Sequence, residues 1–317
     1  MTGRVLLAGA AGEAAGRHHQ RDMFAPAIGA SDLLEVCGVW PGPVGAEGFG
    51  RAALLADDLG VPLVRDSVAA LAAADAVVAC LDPDSLCELL GAAPVGAPAL
   101  PVLVDKLVLF GTARLGTLAQ DPSAGAVVAA YHSRFHPSVA GLAALVASGE
   151  LGLPHAAHGE LVVAYGDGPA AEGDLRHVGV LALDVLAAIV GPPTGSVHAV
   201  RTATGDPATE GWTLTVRWHP GIVVTLIVSR LQPGTTGSLH RYRVLGSEGQ
   251  ALADLAAPRL SLVGGPDVPY GPGPVQLELE SLAFGARGTT LTDLTRLSRL
   301  IDAAERSAAD GNVQPYA

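Results

Sequence analysis

Short apolar runs alternate with helix-like segments through the first third of the chain, and this alternation restricts the fold more than any other feature. The apolar runs are 4–10, 33–40, 62–66, 76–81 and 101–106, and the helix-like segments between them are 52–60, 67–74 and 85–93. Continuous apolar runs of this length are typical of parallel strands that are buried on both faces. Strands and helices in alternation therefore predict an N-terminal doubly wound parallel sheet of the Rossmann type.

The pattern changes after residue 130. A helix at 136–152 is followed by longer strand candidates at 155–166, 196–205, 212–230 and 240–254, and a last helix spans 289–311. Long strands with few helices predict a C-terminal α/β domain built on a large open, mostly antiparallel sheet. We therefore expect a dinucleotide-binding domain over 1–130 and a substrate-binding and oligomerisation domain over 131–317. The last helix can pack back on the first domain.

Composition excludes several functional classes. Hydrophobic residues make up 49% of the 317 residues and charged residues only 16%, which predicts a folded protein with large cores. The formal net charge of −12 argues against nucleic-acid binding, which needs a basic face. Every apolar run is broken before the roughly 18–20 residues that a membrane span needs.

The exposed face of the antiparallel sheet needs covering, so we expect a homodimer or homotetramer packed through it.

Three cysteines, Cys37, Cys80 and Cys87, lack C-x-x-C or metal-ligand spacing. This pattern predicts buried, reduced thiols in a cytoplasmic protein and no metal site. The adjacent His18 and His19 are predicted to lie on a solvated face of the first helix.

A glycine-rich turn, GAAGEAAG at 9–16, follows the first strand directly. Such a turn lets backbone N–H groups approach a pyrophosphate, so we expect Gly9, Ala11 and Gly12 to contact a dinucleotide. In strict register Ala11 takes the second glycine position and adds a Cβ where the phosphate comes close. A glycine-rich turn without a ligand stays open as the alternative.

The end of the second strand departs from the dinucleotide pattern. An Asp or Glu that binds the ribose is expected there, and Trp40 and Pro41 occupy the position. Neither side chain can accept a hydrogen bond from a ribose hydroxyl. We expect Trp40 to border the cofactor, and the choice between NAD and NADP stays open.

Five further motifs occur in an order that resembles the Gfo/Idh/MocA oxidoreductases, the family of glucose–fructose oxidoreductase and inositol dehydrogenase. The motifs are DPDSLC (82–87), VDKLV (104–108), YHSRFHPSVAGLAALVASGELG (131–152), LGSEGQALAD (245–254) and IDAAERSAADG (301–311). They are similar, in that order, to the family's T-P-N-x-x-H turn, E-K-P motif, N-x-R-F-x-P helix, GTEGTLEFD hairpin and closing helix. The resemblance covers nearly the full length.

The resemblance implies an NAD(P)-dependent oxidoreductase and assigns roles to particular residues. It implies that Lys106 handles the proton of the substrate hydroxyl. Cofactor contacts then fall on Asp82, Pro83 and Asp105, and substrate contacts on Tyr131 and Arg134.

The stretch GDLRHVGVLALDVL at 173–186 resembles the family's catalytic helix, D-x-G-x-H-x-x-D, with Gly179 and Asp184 in register. His177 then stands at the first aspartate and Leu181 at the histidine. In a regular helix His177, Leu181 and Asp184 share one face. Leucine can do no proton chemistry, so we expect catalysis by Lys106 with His177 and Asp184. His177 lies a turn away, roughly 6 Å along the axis, and a purely structural histidine stays the alternative.

Lys106 is also singled out by the residues themselves. It is the only lysine in the chain and follows a buried strand, where parallel sheets form their ligand crevice. We therefore expect an oxidoreductase acting on a hydroxyl, carbonyl or imine of a small polar molecule, sugar-like or a secondary metabolite. The departures at Ala11, Pro41, Leu107 and Leu181 keep open a non-redox cyclase, lyase or isomerase. A non-catalytic ligand-binding protein is a third alternative, which the retention of Lys106 disfavours.

Overall fold

The computed structural model describes residues 2–9, 13–14, 17–43, 46–92, 100–164, 174–203, 210–219, 221–231, 238–255, 272–285 and 288–316. The chain divides into two compact units. The first comprises Met1–His132 and Val275–Leu294, and the second comprises Ser133–Pro274 and Thr295–Ala317. The segment Val275–Leu294 therefore belongs to the N-terminal unit, although it lies late in the chain.

The strands are β1 (Gly3–Ala8), β2 (Glu13–Ala14), β3 (Arg17–His18), β4 (Leu34–Trp40), β5 (Ala76–Ala79), β6 (Val102–Val104), β7 (Val127–Ala129), β8 (Pro154–Ala164), β9 (Gly195–Ala203), β10 (Glu210–His219), β11 (Ile222–Leu231), β12 (Leu239–Gly246), β13 (Gln250–Asp254), β14 (Thr289–Thr290) and β15 (Gln314–Tyr316). The α-helices are α1 (Ala25–Gly29), α2 (Ala46–Leu59), α3 (Ser67–Ala72), α4 (Pro83–Gly91), α5 (Thr112–Leu118), α6 (Pro137–Ser148), α7 (Val180–Val190), α8 (Pro274–Ala283) and α9 (Leu291–Asp310). Single π-helical turns span Gln20–Phe24 and Leu175–Gly179, and 3₁₀ turns span Leu107–Phe110, Pro122–Ala124 and His132–Phe135.

The first unit is built on a six-stranded sheet with the order β14-β7-β6-β5-β1-β4. Its strands are parallel except β14, which pairs antiparallel with β7. The strands are short and almost wholly apolar because both faces of the sheet are covered. Phe24, Ile28 and Leu55 join the same buried core, together with Leu279 and Leu282 of α8. The predicted doubly wound parallel sheet is confirmed.

The second unit is built on a seven-stranded sheet with the order β13-β12-β8-β11-β10-β9-β15. All neighbours are antiparallel except β8 and β11. In β10, Trp212, Leu214, Val216 and Trp218 are buried and alternate with exposed residues, because successive side chains point to opposite faces. Helix α7 packs on the buried face along β8. The predicted open, mostly antiparallel sheet is confirmed.

Three local expectations differ from the structure. Residues 62–66 form no strand, and Leu63 makes only a single bridge to Val39. Helix α8 is absent from the sequence prediction because it follows a Pro/Gly-rich stretch that is typical of a loop. The cysteines are all free, but Cys87 is exposed, so the expectation of buried thiols is wrong for that residue.

A buried ion pair fixes the start of the segment that carries His177. Asp174 precedes the π turn, and its carboxylate accepts a hydrogen bond of 2.9 Å from Nε of Arg230 on β11. The two side chains are only 2% and 3% exposed. Arg176, within the π turn, donates to the hydroxyl of Ser298 at 3.0 Å. These contacts tie the turn to β11 and α9.

We expect Asp174→Ala to lower the free energy of unfolding by about 3–5 kcal/mol, because it leaves the Arg230 charge buried without its partner. Asp84→Ala is the matched control, since Asp84 pairs with Arg114 at an exposed position and its loss costs about 1 kcal/mol or less. Urea unfolding of both variants measures the difference. Equal losses would contradict this account of the pair.

Candidate active site

The carboxyl ends of the parallel strands form the first part of the candidate site. From β1 the chain moves to β4 on one side, and β5, β6 and β7 lie on the other side. Ligands of open parallel sheets bind where the strand order reverses in this way. Gly9, after β1, and Cys80, after β5, flank that point.

Gly9 fits the first glycine of a dinucleotide-binding turn. Its φ is +79°, and a Cβ at this position would lie 2.4 Å from the carbonyl oxygen of Cys80 and 2.6 Å from Cδ2 of Leu81. Only glycine allows this close approach of the turn to β5. The other predicted turn contacts, Ala11 and Gly12, lie outside the described residues.

Gln20 lies at the point where the strand order reverses, between β1 and β5. Its side chain is fully buried, and Nε2 donates to the carbonyl oxygens of Ala8 at 2.7 Å and Val78 at 3.4 Å. The ends of β1 and β5 are thereby linked by one amide. Within the described part of the chain, Oε1 of Gln20 has no hydrogen-bond partner, so a buried acceptor lies at the ligand-binding edge.

The end of β4 offers no polar side chain. Trp40 is 3% exposed and Pro41 is buried. The carbonyl oxygen of Trp40 accepts a hydrogen bond from the backbone N–H of Gly9 at 2.8 Å. The ribose-binding carboxylate of the dinucleotide pattern therefore has no counterpart at this strand end.

Asp82 caps helix α4, which begins at Pro83. Its carboxylate accepts hydrogen bonds from the backbone N–H groups of Asp84 and Ser85 and from the Ser85 hydroxyl at 2.5 Å. The Ser85 hydroxyl is the main reason that the pKa of Asp82 is lowered from its usual range. The carboxylate is thus engaged by its own helix.

Lys106 has an unusual backbone. Its φ is 52° and its ψ is 31°, and it is the one non-glycine residue with a positive φ among the described residues. The left-handed conformation costs about 1–2 kcal/mol for a residue with a Cβ. Strain of this kind concentrates at functional sites, where the surrounding structure imposes it.

Asp105, next to Lys106, contacts a histidine from a distant part of the chain. Its Oδ2 lies 2.7 Å from Nδ1 of His19, and the two side chains are 8% and 15% exposed. The expectation that His19 lies on a solvated face is therefore wrong. The short strands β2 and β3 come before the first helical turn. His19 therefore follows β3 and immediately precedes the π turn Gln20–Phe24.

Two further titratable groups lie near Asp105. Burial lowers the pKa of His132, the Asp105 charge opposes this and His19 adds to it. Nδ1 of His132 has no hydrogen-bond partner within the described ranges. Burial, and next the Asp105 charge, raise the pKa of the Cys80 thiol well above its usual value. His132 and Cys80 are thus kept uncharged. We call His19, Cys80, Asp105, Lys106 and His132 the Asp105 cluster.

Tyr131, predicted to bind substrate, is 2% exposed. Its backbone N–H donates to Oε1 of the buried Glu278 on α8 at 2.8 Å. This contact connects the second residue after β7 to a helix that the sequence prediction lacks.

In the second unit, two predicted site residues contact each other. Nε of Arg134 lies 3.2 Å from Oδ2 of Asp184, and their side chains are 16% and 1% exposed. The Asp184 charge adds to burial in raising the pKa of Tyr242. The Tyr242 hydroxyl lies 2.7 Å from Nε2 of His240. Asp184 is thus the anionic member of a buried polar network.

His177 lies within the π turn Leu175–Gly179 and is half-buried, as is Leu181. A π turn bonds residue i to i+5, so the regular spacing that aligns i and i+4 begins only at Val180.

Two further findings concern metal sites and membrane spans. Among the described side chains, no group of three or more His, Cys, Asp or Glu is placed to hold a metal ion. None of the described helices has both the length and the apolar character to cross a membrane.

Comparison with known proteins gives matches to solved structures alone. No protein-family model and no curated protein matches the chain. A myo-inositol dehydrogenase from Corynebacterium glutamicum is 20% identical, with a TM-score of 0.73 and 99% of each chain covered. A scyllo-inositol dehydrogenase from Lactobacillus casei with bound NAD(H) and scyllo-inositol is 14% identical, with a TM-score of 0.72 and 99% of each chain covered.

A third similar structure is GenD2 from gentamicin A biosynthesis in complex with NAD. It is 17% identical, with a TM-score of 0.73, and the match covers 100% of this chain and 97% of the other. The resemblance to the Gfo/Idh/MocA oxidoreductases is thereby confirmed at the level of the fold.

We expect Lys106→Gly to be more stable than Lys106→Ala by about 0.5–1 kcal/mol, because glycine adopts the left-handed conformation without strain. Gly149→Ala provides the reverse control. Gly149 has a φ of +78° and open space around its missing Cβ, so alanine there loses a similar amount. Urea unfolding compares the variants. If Lys106→Ala is as stable as Lys106→Gly, Lys106 is not strained.

Proposed function

We propose that this chain is an NAD- or NADP-dependent oxidoreductase that acts on a hydroxyl, carbonyl or imine of a small polar, sugar-like molecule or secondary metabolite. The observation that carries the proposal is the strained Lys106 beside the Asp105–His19 contact, at the edge where parallel sheets bind ligands. The fold, shared along the full chain with inositol dehydrogenases solved with NAD(H), supports it. A nicotinamide cofactor would supply or accept the hydride.

The residues at the strand ends fit a dinucleotide in part. Gly9 forms the tight turn that the pyrophosphate needs, and the buried Oε1 of Gln20 and Nδ1 of His132 offer polar atoms at the same edge. Trp40 and Pro41 do not fit the usual ribose contact. We therefore propose that the turn after β1 and the ends of β5 and β6 hold the cofactor, with Asp82, Pro83 and Asp105 alongside.

Lys106 is the proposed acid–base group of the reaction. A lysine ammonium can donate to the substrate oxygen, and the amine can accept its proton when the alcohol is oxidised. Asp105, the preceding residue, is proposed to position it. Tyr131, buried after β7, is proposed to contact the substrate.

The second unit is proposed to bind the substrate through Arg134. Because the buried Asp184 holds its guanidinium at 3.2 Å, Arg134 is orientated for hydrogen bonds to hydroxyl or anionic groups. Asp184 is therefore proposed to act through Arg134. His177 is proposed as an assisting acid–base group.

We expect isothermal titration calorimetry to detect binding of NAD⁺, NADH, NADP⁺ or NADPH. Lys106→Met should leave this affinity within a few-fold and lower kcat by about 10²–10⁴-fold, because the acid–base group is lost. Arg114→Met, at an exposed cation in the same unit, is the control and should keep wild-type kcat. Myo-inositol and scyllo-inositol are the first substrates to assay. If none of the four nucleotides binds at millimolar concentration, the proposal fails.

We further propose that copies of the chain associate through the open face of the second sheet. The strand register aligns Val200, Thr213, Ile227, Glu160 and Arg241 in one row across that face. Val200 and Ile227 are 48% and 39% exposed, and Val223 and Leu252 on the same face are 46% and 57% exposed. Apolar side chains on a broad, flat sheet face favour a symmetric contact between copies.

Ile227→Glu should convert a dimer or tetramer to smaller species, because it places a charge at the centre of the buried contact. Leu54→Glu is the control, since Leu54 is 67% exposed on α2 of the other unit and should leave the assembly unchanged. Sedimentation velocity measures both. A monomeric wild type, or an intact Ile227→Glu assembly, would rule out this interface.

A further inference from the structure

We propose that His19 is a positioning residue, which acts through Asp105 to hold Lys106 in its left-handed conformation. This inference rests on the proposed role of Lys106. The contact joins a residue near the start of the chain to the residue that precedes the proposed acid–base group. Its function is to fix where the Lys106 backbone lies and which charges surround its amine.

The backbone that carries His19 is firmly fixed to the sheet. The next residue, Gln20, is fully buried and donates to the carbonyl oxygens of Ala8 and Val78 at the ends of β1 and β5. His19 therefore approaches Asp105 from a rigid support. Both side chains are largely buried, so water competes little for the 2.7 Å contact between Nδ1 of His19 and Oδ2 of Asp105.

Lys106 is also held from the backbone side. The N–H of Asp105 donates to the carbonyl oxygen of Ala79 at 2.9 Å, and the Lys106 carbonyl oxygen accepts from the N–H of Leu109 at 3.0 Å. Leu107, immediately after the lysine, is fully buried. A strained residue persists only where its surroundings impose the conformation. His19 contributes to this from another element, by holding the Asp105 side chain.

The contact of His19 with the Asp105 carboxylate is short, at 2.7 Å. Cys80 and His132 also lie near Asp105, but burial keeps both of them uncharged. The Asp105 carboxylate lies 2.7 Å from Nδ1 of His19, and Asp105 immediately precedes Lys106 in the chain. Without His19 the carboxylate loses this contact, and we expect it to move and to displace Lys106.

The single lysine gives a direct probe. Reductive ¹³C-dimethylation of the full chain labels Lys106 and the terminal amine, so NMR shows one lysine signal. We expect His19→Ala to shift this signal towards that of a free lysine. His19→Asn keeps an N–H donor near the position of Nδ1 and should restore most of the wild-type shift. His155→Ala, at an exposed histidine in the second unit, should leave the signal unchanged.

The outcomes separate positioning from a merely structural role. If His19→Ala lowers the melting temperature but leaves the lysine signal as in His155→Ala, the proposal is overturned. A shift in His19→Ala that His19→Asn does not reduce also overturns it, because the polar contact with Asp105 is then not the cause. If His19→Ala fails to fold, Asp105→Ala breaks the same contact from the other side and must shift the signal.

A kinetic measurement links the contact to function. With the substrate that the wild type oxidises fastest, His19→Ala should lower kcat by about 10²-fold, as misplacement of a reacting group does, and change the KM for the nucleotide less than threefold. A wild-type kcat in His19→Ala overturns the functional part of the inference. A protein that binds no nucleotide refutes the proposed function, whereas the NMR shift still decides whether His19 positions Lys106.

Discussion

The contact between Asp105 and His19 is the interaction on which the proposed site depends. Oδ2 of Asp105 lies 2.7 Å from Nδ1 of His19, and a thiol and a neutral histidine lie near the same carboxylate. The same carboxylate precedes the strained Lys106. The end of β6 thus carries both the buried contact of Asp105 with His19 and the strained backbone of Lys106. The parallel sheet makes this possible, because it brings the ends of β1, β5, β6 and β7 to one edge.

Buried ion pairs have a different role in the second unit. Arg230–Asp174 anchors the start of the π turn, and Arg134–Asp184 joins α7 to the turn before α6. Each of these carboxylates lies against a guanidinium, so the two members of each pair hold one another in place. The aspartate that the family resemblance marks as catalytic therefore has a physical reason to orient Arg134. The guanidinium of Arg134 is the group that we propose recognises the substrate.

Both sheets could be predicted from the sequence because their apolar patterns have different periods. The continuous run Val5–Ala8 requires two covered faces, and the alternation along Trp212–Trp218 requires one. Lys106 could be found because it is the single lysine at a strand end. The contact of His19 with Asp105 could not, since no local pattern encodes a pairing of distant residues. The π turn at His177 could not be predicted either, because an argument from helical periodicity assumes a regular helix.

The apolar end of β4 constrains how the proposed cofactor is bound. With Trp40 and Pro41 buried there, the ribose hydroxyls lose the carboxylate that usually accepts their hydrogen bonds. Charge-assisted hydrogen bonds contribute about 1.5–3 kcal/mol each, so this loss alone weakens binding by about 10-fold or more. A missing carboxylate also removes the repulsion that excludes a 2′-phosphate. The change that lowers the affinity for NAD therefore also reduces the difference in affinity between NAD and NADP. Measuring the affinities of both nucleotides in one titration series separates these two effects.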